Sequence, residues 1–141
     1  MNFEIEIDNI IISSKTTKSY LESKFPQASI DNYVDDLYAF SFSGSIFQMK
    51  SKSKITAYFK RNKIIEITIF PSQEVRNDEE FDIQKSYNLY NKVLEDNYGR
   101  RIPGIFNKEK KWRFTDAIIK HYLFERFGLE EVIEIFFKID I

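Results

Sequence analysis

Several short stretches of the chain alternate strictly between apolar and polar residues. A period of two is the mark of a strand with one buried face. Phe3, Ile5 and Ile7 oppose Glu4, Glu6 and Asp8, so "NFEIEIDNI" reads as a half-buried strand. Tyr38, Phe40 and Phe42 oppose Ala39, Ser41 and Ser43 in "YAFSFSG", and "SIFQMK" is expected to continue into another strand. Ile55, Ala57 and Phe59 oppose Lys54, Thr56, Tyr58 and Lys60. "RNK" then turns the chain into "IIEITIF", which Pro71 ends. Trp112 and Phe114 alternate in "KWRFTD", "AIIKHYLFERFG" is expected to form one long strand, and "LEEVIEIFFKIDI" the last one.

Helical spacing occurs in two places. Tyr20, Leu21 and Phe25 form an apolar stripe after Ser13, Ser14 or Thr16, any of which can cap it. Pro26 disfavours helical dihedrals at Phe25 and should stop that helix. "QASIDNYVDD" reads as a polar connection. In the second helix Tyr87, Tyr90, Leu94 and Tyr98 share a stripe, Asn77 and Glu80 have capping-box spacing, and Gly99 is placed to end it.

The two helices and the strands after them follow the same order twice. Phe40 and Phe42 correspond to Trp112 and Phe114, and Ile65-Glu66-Ile67 to Ile133-Glu134-Ile135. The expected fold is therefore α+β: an antiparallel sheet with two helices packed on one face. We expect a single domain over 1–141, with candidate internal repeat units at 13–71 and 77–138.

Composition narrows the function. With 43% apolar residues the chain can bury a core, and with 14 Phe and 8 Tyr against 4 Gly and 3 Pro it favours strands and aromatic packing over loops. There is no cysteine, which excludes disulfides, thiolate catalysis and Cys-based zinc sites. The acidic start "MNFEIEIDNI" is unlike a signal peptide, and no apolar run is long enough to span a bilayer, so the expected location is the cytoplasm, away from any membrane. The net charge is only −1, but it is unevenly spread. Lys50, Lys52, Lys54, Lys60, Arg61 and Lys63 fall in a segment without an acid, whereas acids gather at Asp31, Asp35 and Asp36, between Glu74 and Asp82, and between Glu130 and Glu134. Such segregation can build patches of both signs for recognition.

Catalytic equipment is sparse. The single histidine, His121, sits in "IIKHYLF" and is expected at a sheet rim. No HExxH, GxSxG, GxxxxGK[ST] or GxGxxG pattern occurs, so the sequence gives no catalytic residue, metal site or cofactor. Glu66 and Glu134, each centred in an apolar run, could converge if the two halves meet about a pseudo-twofold; otherwise each faces solvent from a one-sided strand.

The succession "KSYLESKFP", "YAFSFSG", "ITAYFKRNKIIEITIF", "YNLYNKVLEDNYG", "KWRFTD" and "VIEIFF" resembles small bacterial α+β proteins, including immunity proteins of polymorphic toxin systems. The likeness is one of layout. It implies a non-enzymatic protein that binds a toxin domain by surface complementarity, and it carries over no catalytic residue. The expected partner-binding residues are Lys50, Lys52, Lys54, Tyr58, Lys60, Arg61 and Lys63, on a basic hairpin projecting from the fold. Two alternatives are a nucleic-acid-binding domain using the same hairpin, and an enzyme using sheet carboxylates.

Overall fold

The computed structural model describes residues 1–71, 83–99, 109–125 and 129–138. It begins with a hairpin, β1 (Glu4–Ile7) and β2 (Ile10–Ser13), followed by α1 (Lys18–Lys24). Next come β3 (Ser29–Val34), β4 (Leu37–Gly44), β5 (Ser53–Lys60) and β6 (Lys63–Phe70). After α2 (Ile83–Tyr98) the chain forms β7 (Lys110–Arg113), β8 (Ala117–Glu125) and β9 (Leu129–Phe137). β3 to β9 make one antiparallel sheet in the order β3-β4-β5-β6-β9-β8-β7. The expected α+β class, with both helices on one face of an antiparallel sheet, is what is found.

The core lies on that face. Phe40, Ile55, Ala57, Ile67, Ile69, Ile119, Ile133 and Ile135 point into it from successive strands. α1 contributes Leu21, and its C-cap residue Phe25 stacks on Phe42 with ring centroids 4.2 Å apart. α2 contributes Tyr87, Tyr90 and Leu94. The β1–β2 hairpin covers the remaining part: Phe3 meets the rings of Tyr98, Phe114 and Phe137. Burial of this kind contributes about 1.5–3 kcal/mol per large apolar side chain.

Local departures from the expected elements have identifiable causes. "NFEIEIDNI" is not one strand, because Asp8 and Asn9 both take positive φ (49° and 66°). They form the two-residue turn that twisted hairpins favour and that Asn and Asp tolerate. The helix cap is Thr17, whose hydroxyl accepts from Tyr20 N at 3.1 Å. Thr16 is occupied with Ser13 N instead, and a bridge from Thr17 to Lys63 holds the chain extended one residue longer than expected. "SIDNYV" is a strand and not a connection; all six residues are exposed, so no apolar alternation marks it. "SIFQMK" does not become a strand. Ile46 alone bridges to Ile7, and Phe47 and Gln48 then take positive φ. Gly44 lets that crossing happen, since a Cβ there would sit 2.7 Å from Ile7 Cγ2. The expected cap at Asn77 lies outside the described residues.

The meanders β4-β5-β6 and β7-β8-β9 meet through their last strands, with Ile67 opposite Ile135 and Ile69 opposite Ile133. The candidate units at 13–71 and 77–138 thus contribute meanders of the same order. In the first unit α1 spans 7 residues and a strand, β3, lies between helix and meander; in the second α2 spans 16. Among the described residues, no helix is long and apolar enough to cross a membrane.

Candidate binding face of the sheet

Among the described residues, nothing packs on the other face of the main sheet. Alternation decides which side chains stand there. On β5, Ser53, Ile55, Ala57 and Phe59 are buried towards the helices, so Lys54, Thr56, Tyr58 and Lys60 point the opposite way. Register then orders the face into rows. Ser29, Ser41, Thr56, Thr68, Glu134, Lys120 and Lys111 are successive cross-strand neighbours over all seven strands. The next row runs Asp31, Ala39, Tyr58, Glu66, Phe136, Ile118 and Arg113. A band of hydroxyls therefore runs into a carboxylate and two ammonium groups, beside a band with an aromatic–carboxylate–aromatic centre.

Glu66 and Glu134 do converge. Thr68 is opposite Glu134 and Phe136 is opposite Glu66, so the two carboxylates are diagonal neighbours on adjacent strands. Burial raises the Glu66 pKa above the usual carboxylate range, and the nearby Glu134 raises it further; the Thr68 hydroxyl, 3.5 Å from Glu66 Oε2, opposes the shift. The Tyr122 O–H donates to Glu134 Oε1. Burial, then that bond and the charge of Glu134, push the Tyr122 phenol upward, so it stays a donor. Tyr58, opposite Glu66, is raised by burial, then by Tyr33 and Glu66. Lys120 lies 5.5 Å from the centroid of the Phe136 ring and 3.9 Å from Glu109 Oε1. No group of three or more His or acidic side chains suited to a metal exists among the described residues.

The raised pKa of Glu66 has a testable sign. The folded state holds the Glu66 proton more tightly than the unfolded chain, so ionisation of this group opposes folding as pH rises past its ordinary value of 4.5. Glu66→Gln is expected to raise the thermal midpoint at pH 7, with the gain shrinking towards zero in acid. A gain that persists unchanged in acid would show another cause.

The expected basic residues are dispersed. Lys54 and Tyr58 lie within β5, Lys50 and Lys52 precede that strand, and Lys60, Arg61 and Lys63 cluster at its far end. They are not on a projection, because β5 is bonded along both edges, to β4 and β6. Nor is Arg61 without an acid: its Nε lies 3.1 Å from Asp36 Oδ2, supplied by the β3–β4 turn.

His121 is not at a rim. It stands on the core face of β8, fully buried, and its ring lies 4.3 Å from that of Tyr87. Nε2 is 2.5 Å from Glu131 Oε2, Nδ1 is 2.6 Å from the Asn91 side-chain amide, and Ser86 Oγ–H donates to Glu131 Oε1 at 2.5 Å. Burial lowers the His121 pKa most; the bond to Glu131 and its charge pull it back up, and Lys110 adds to the lowering. With His121 and Glu131 both sealed from solvent, this network fastens α2 to β8 and β9 and is not open to a substrate. Sequence reasoning found Glu66 and Glu134 through their apolar surroundings. It missed the hydroxyl row, although the alternate positions Ser41, Thr56 and Thr68 are legible once the strand faces are assigned.

No protein-family model matches this chain, and no curated protein and no solved structure matches it either.

Proposed function

We propose that this protein is a non-enzymatic protein-binding module, cytoplasmic, and specifically an immunity-type protein that neutralises a toxin domain. The observation that carries the reading is the sheet face that no described element covers, where Tyr58, Phe136 and Tyr122 are half-buried among Lys54, Lys120, Glu66 and Glu134. Tyr and Phe are enriched in specific protein interfaces, where aromatic anchors sit within a polar rim. The layout resemblance to immunity proteins supports the same class. A nucleic-acid surface would favour a continuous basic stripe, whereas here Glu66 stands directly opposite Tyr58 and Asp36 holds Arg61. A second reading, an enzyme working through Glu66 and Glu134, draws on their convergence.

A photo-crosslinking residue in place of Tyr58, with a control in place of exposed Leu89 on α2, tests the face in the source organism. Position 58 is expected to yield an adduct with one protein, and position 89 none. With that protein purified, reversing Lys54, Lys60 and Arg61 to Glu should slow association and weaken its salt dependence, while the thermal midpoint barely moves. No adduct from position 58 would overturn the face as the interface. Unchanged partner binding in a Glu66→Gln, Glu134→Gln variant separates this reading from the enzymatic one, which requires ionisable carboxyls.

A further inference from the structure

The sequence treats the two edges of the main sheet differently. β7 has four residues, of which Lys110, Lys111 and Arg113 are basic. Shortness and cationic side chains are the usual protection of an edge against recruiting another strand. β3 is neither as short nor basic, and its one irregularity is a register shift between Asn32 and Val34. Its six residues include no Lys, Arg or Pro, and all six are exposed. Ile30, Tyr33 and Val34 are 45%, 59% and 66% exposed. The outer edge of β3 pairs with no described strand. In an antiparallel ladder alternate residues turn their N–H and C=O away from a given partner, so β3 presents backbone donors and acceptors outward.

This edge leads into a groove. Ser29 pairs with Ser41, so β4 runs on past the start of β3 through Phe42, Ser43 and Gly44. The connection from α1 leaves an open groove there of about 810 Å³, walled by the stacked rings of Phe25 and Phe42. Lys24 and Lys54 line it, and no acid does. Asp31 stands within β3 and Asp35 in the turn after it, both exposed.

We propose that β3 is a strand-addition site. An extended segment of a partner protein pairs with its outer edge and places an acidic side chain or a terminal carboxylate in the groove lined by Lys24 and Lys54. The proposal rests on the reading of the protein as a protein-binding module and names the kind of segment it takes. Backbone pairing supplies the affinity, and alternate side chains against Ile30 and Tyr33, with the charge at the groove, supply the choice.

Short random peptides displayed on phage, selected on the immobilised full chain, provide the probe. The winning peptides are expected to alternate apolar residues and to carry an acid or a free C-terminus at one end. Adding such a peptide should slow amide hydrogen exchange in residues 29–34. Ile30→Lys with Tyr33→Lys, and separately Lys24→Glu, should each weaken binding about tenfold or more, where tenfold is about 1.4 kcal/mol. Leu89→Ala, at an exposed position of α2, should leave peptide binding unchanged. Failure to select any peptide, or protection that appears on the open sheet face or the helices instead, overturns the proposal. So does a wild-type dimer in sedimentation that Ile30→Lys with Tyr33→Lys dissolves, since the edge would then belong to a second copy. A crosslinked partner at position 58 without any peptide at β3 would leave the protein-binding reading standing and remove this one alone.

Discussion

Replacing Trp112 by alanine is expected to lower the stability of the fold by about 3–5 kcal/mol, the range for truncating a fully buried large aromatic side chain. Trp112 sits on the four-residue edge strand β7, yet it is completely buried and belongs to the main core. Its neighbour across the strand pair is Ile119, and the Tyr98 ring stands 6.5 Å away. Its indole Nε1–H donates to the carbonyl of Gly99 at 2.8 Å, just after the last residue of α2. Truncation opens a cavity and also leaves that carbonyl without the donor. Trp112→Phe retains most of the volume and loses only the donor, so it should cost distinctly less. Denaturant unfolding of both variants checks the ordering. A loss within error of zero for Trp112→Ala would mean that β7 does not dock as described.

The second large effect concerns the buried network. His121→Leu is expected to cost about 3–5 kcal/mol, the range for breaking a buried pair from one side, because the buried Glu131 carboxylate loses its imidazole partner and is left with the Ser86 hydroxyl. The double variant His121→Leu, Glu131→Leu should recover much of that loss, since apolar groups of similar volume can replace a buried polar pair at little cost. Strict additivity of the two single variants would sink the argument. The network also gives a pH signature. The folded state holds the second His121 proton less tightly than the unfolded chain, whose value is about 6.5. The unfolded state therefore binds more protons below that value. The stability from this group is fully present above pH 6.5 and is lost as pH falls through the lower folded value. The thermal midpoint should decline on acidification, and the double variant should lack that part of the decline.

What could be read from the sequence was what depends on one-sided burial. β4, β5, β6 and β9 were legible because apolar and polar residues alternate or cluster in them, and the stripe Tyr87, Tyr90, Leu94 marked α2. β3 left no such trace: a strand exposed on both faces has no hydrophobic period, and pairing with β4 alone defines it. His121 was misplaced for the opposite reason. A polar residue in an apolar strand looks like a rim residue until its partners are known, and Asn91 and Glu131 lie 30 and 10 residues away. The meeting of Glu66 and Glu134 was foreseeable only under the condition that the two halves join through their last strands. The spread of the basic residues follows from the strand and turn assigned to them, because nearness in sequence along an extended strand becomes distance in space.

The placement of β9 bears on how the molecule comes into being. It is the last described strand in chain order and follows β6 at a long sequence separation, yet it lies inside the sheet, bonded to β6 on one side and β8 on the other. Until it arrives, β3 to β6 form an incomplete array whose final strand, "KIIEITIF", offers an apolar and unshielded flank to any neighbouring nascent chain. Such a segment is rich in β-branched residues and low in charge, the composition most prone to intermolecular stacking. Closure of the core thus waits for β9, and the long sequence separation between β6 and β9 predicts a slow step. High-level expression in the cold, or with a chaperone that holds strands apart, should raise the soluble yield by guarding that one flank through the interval.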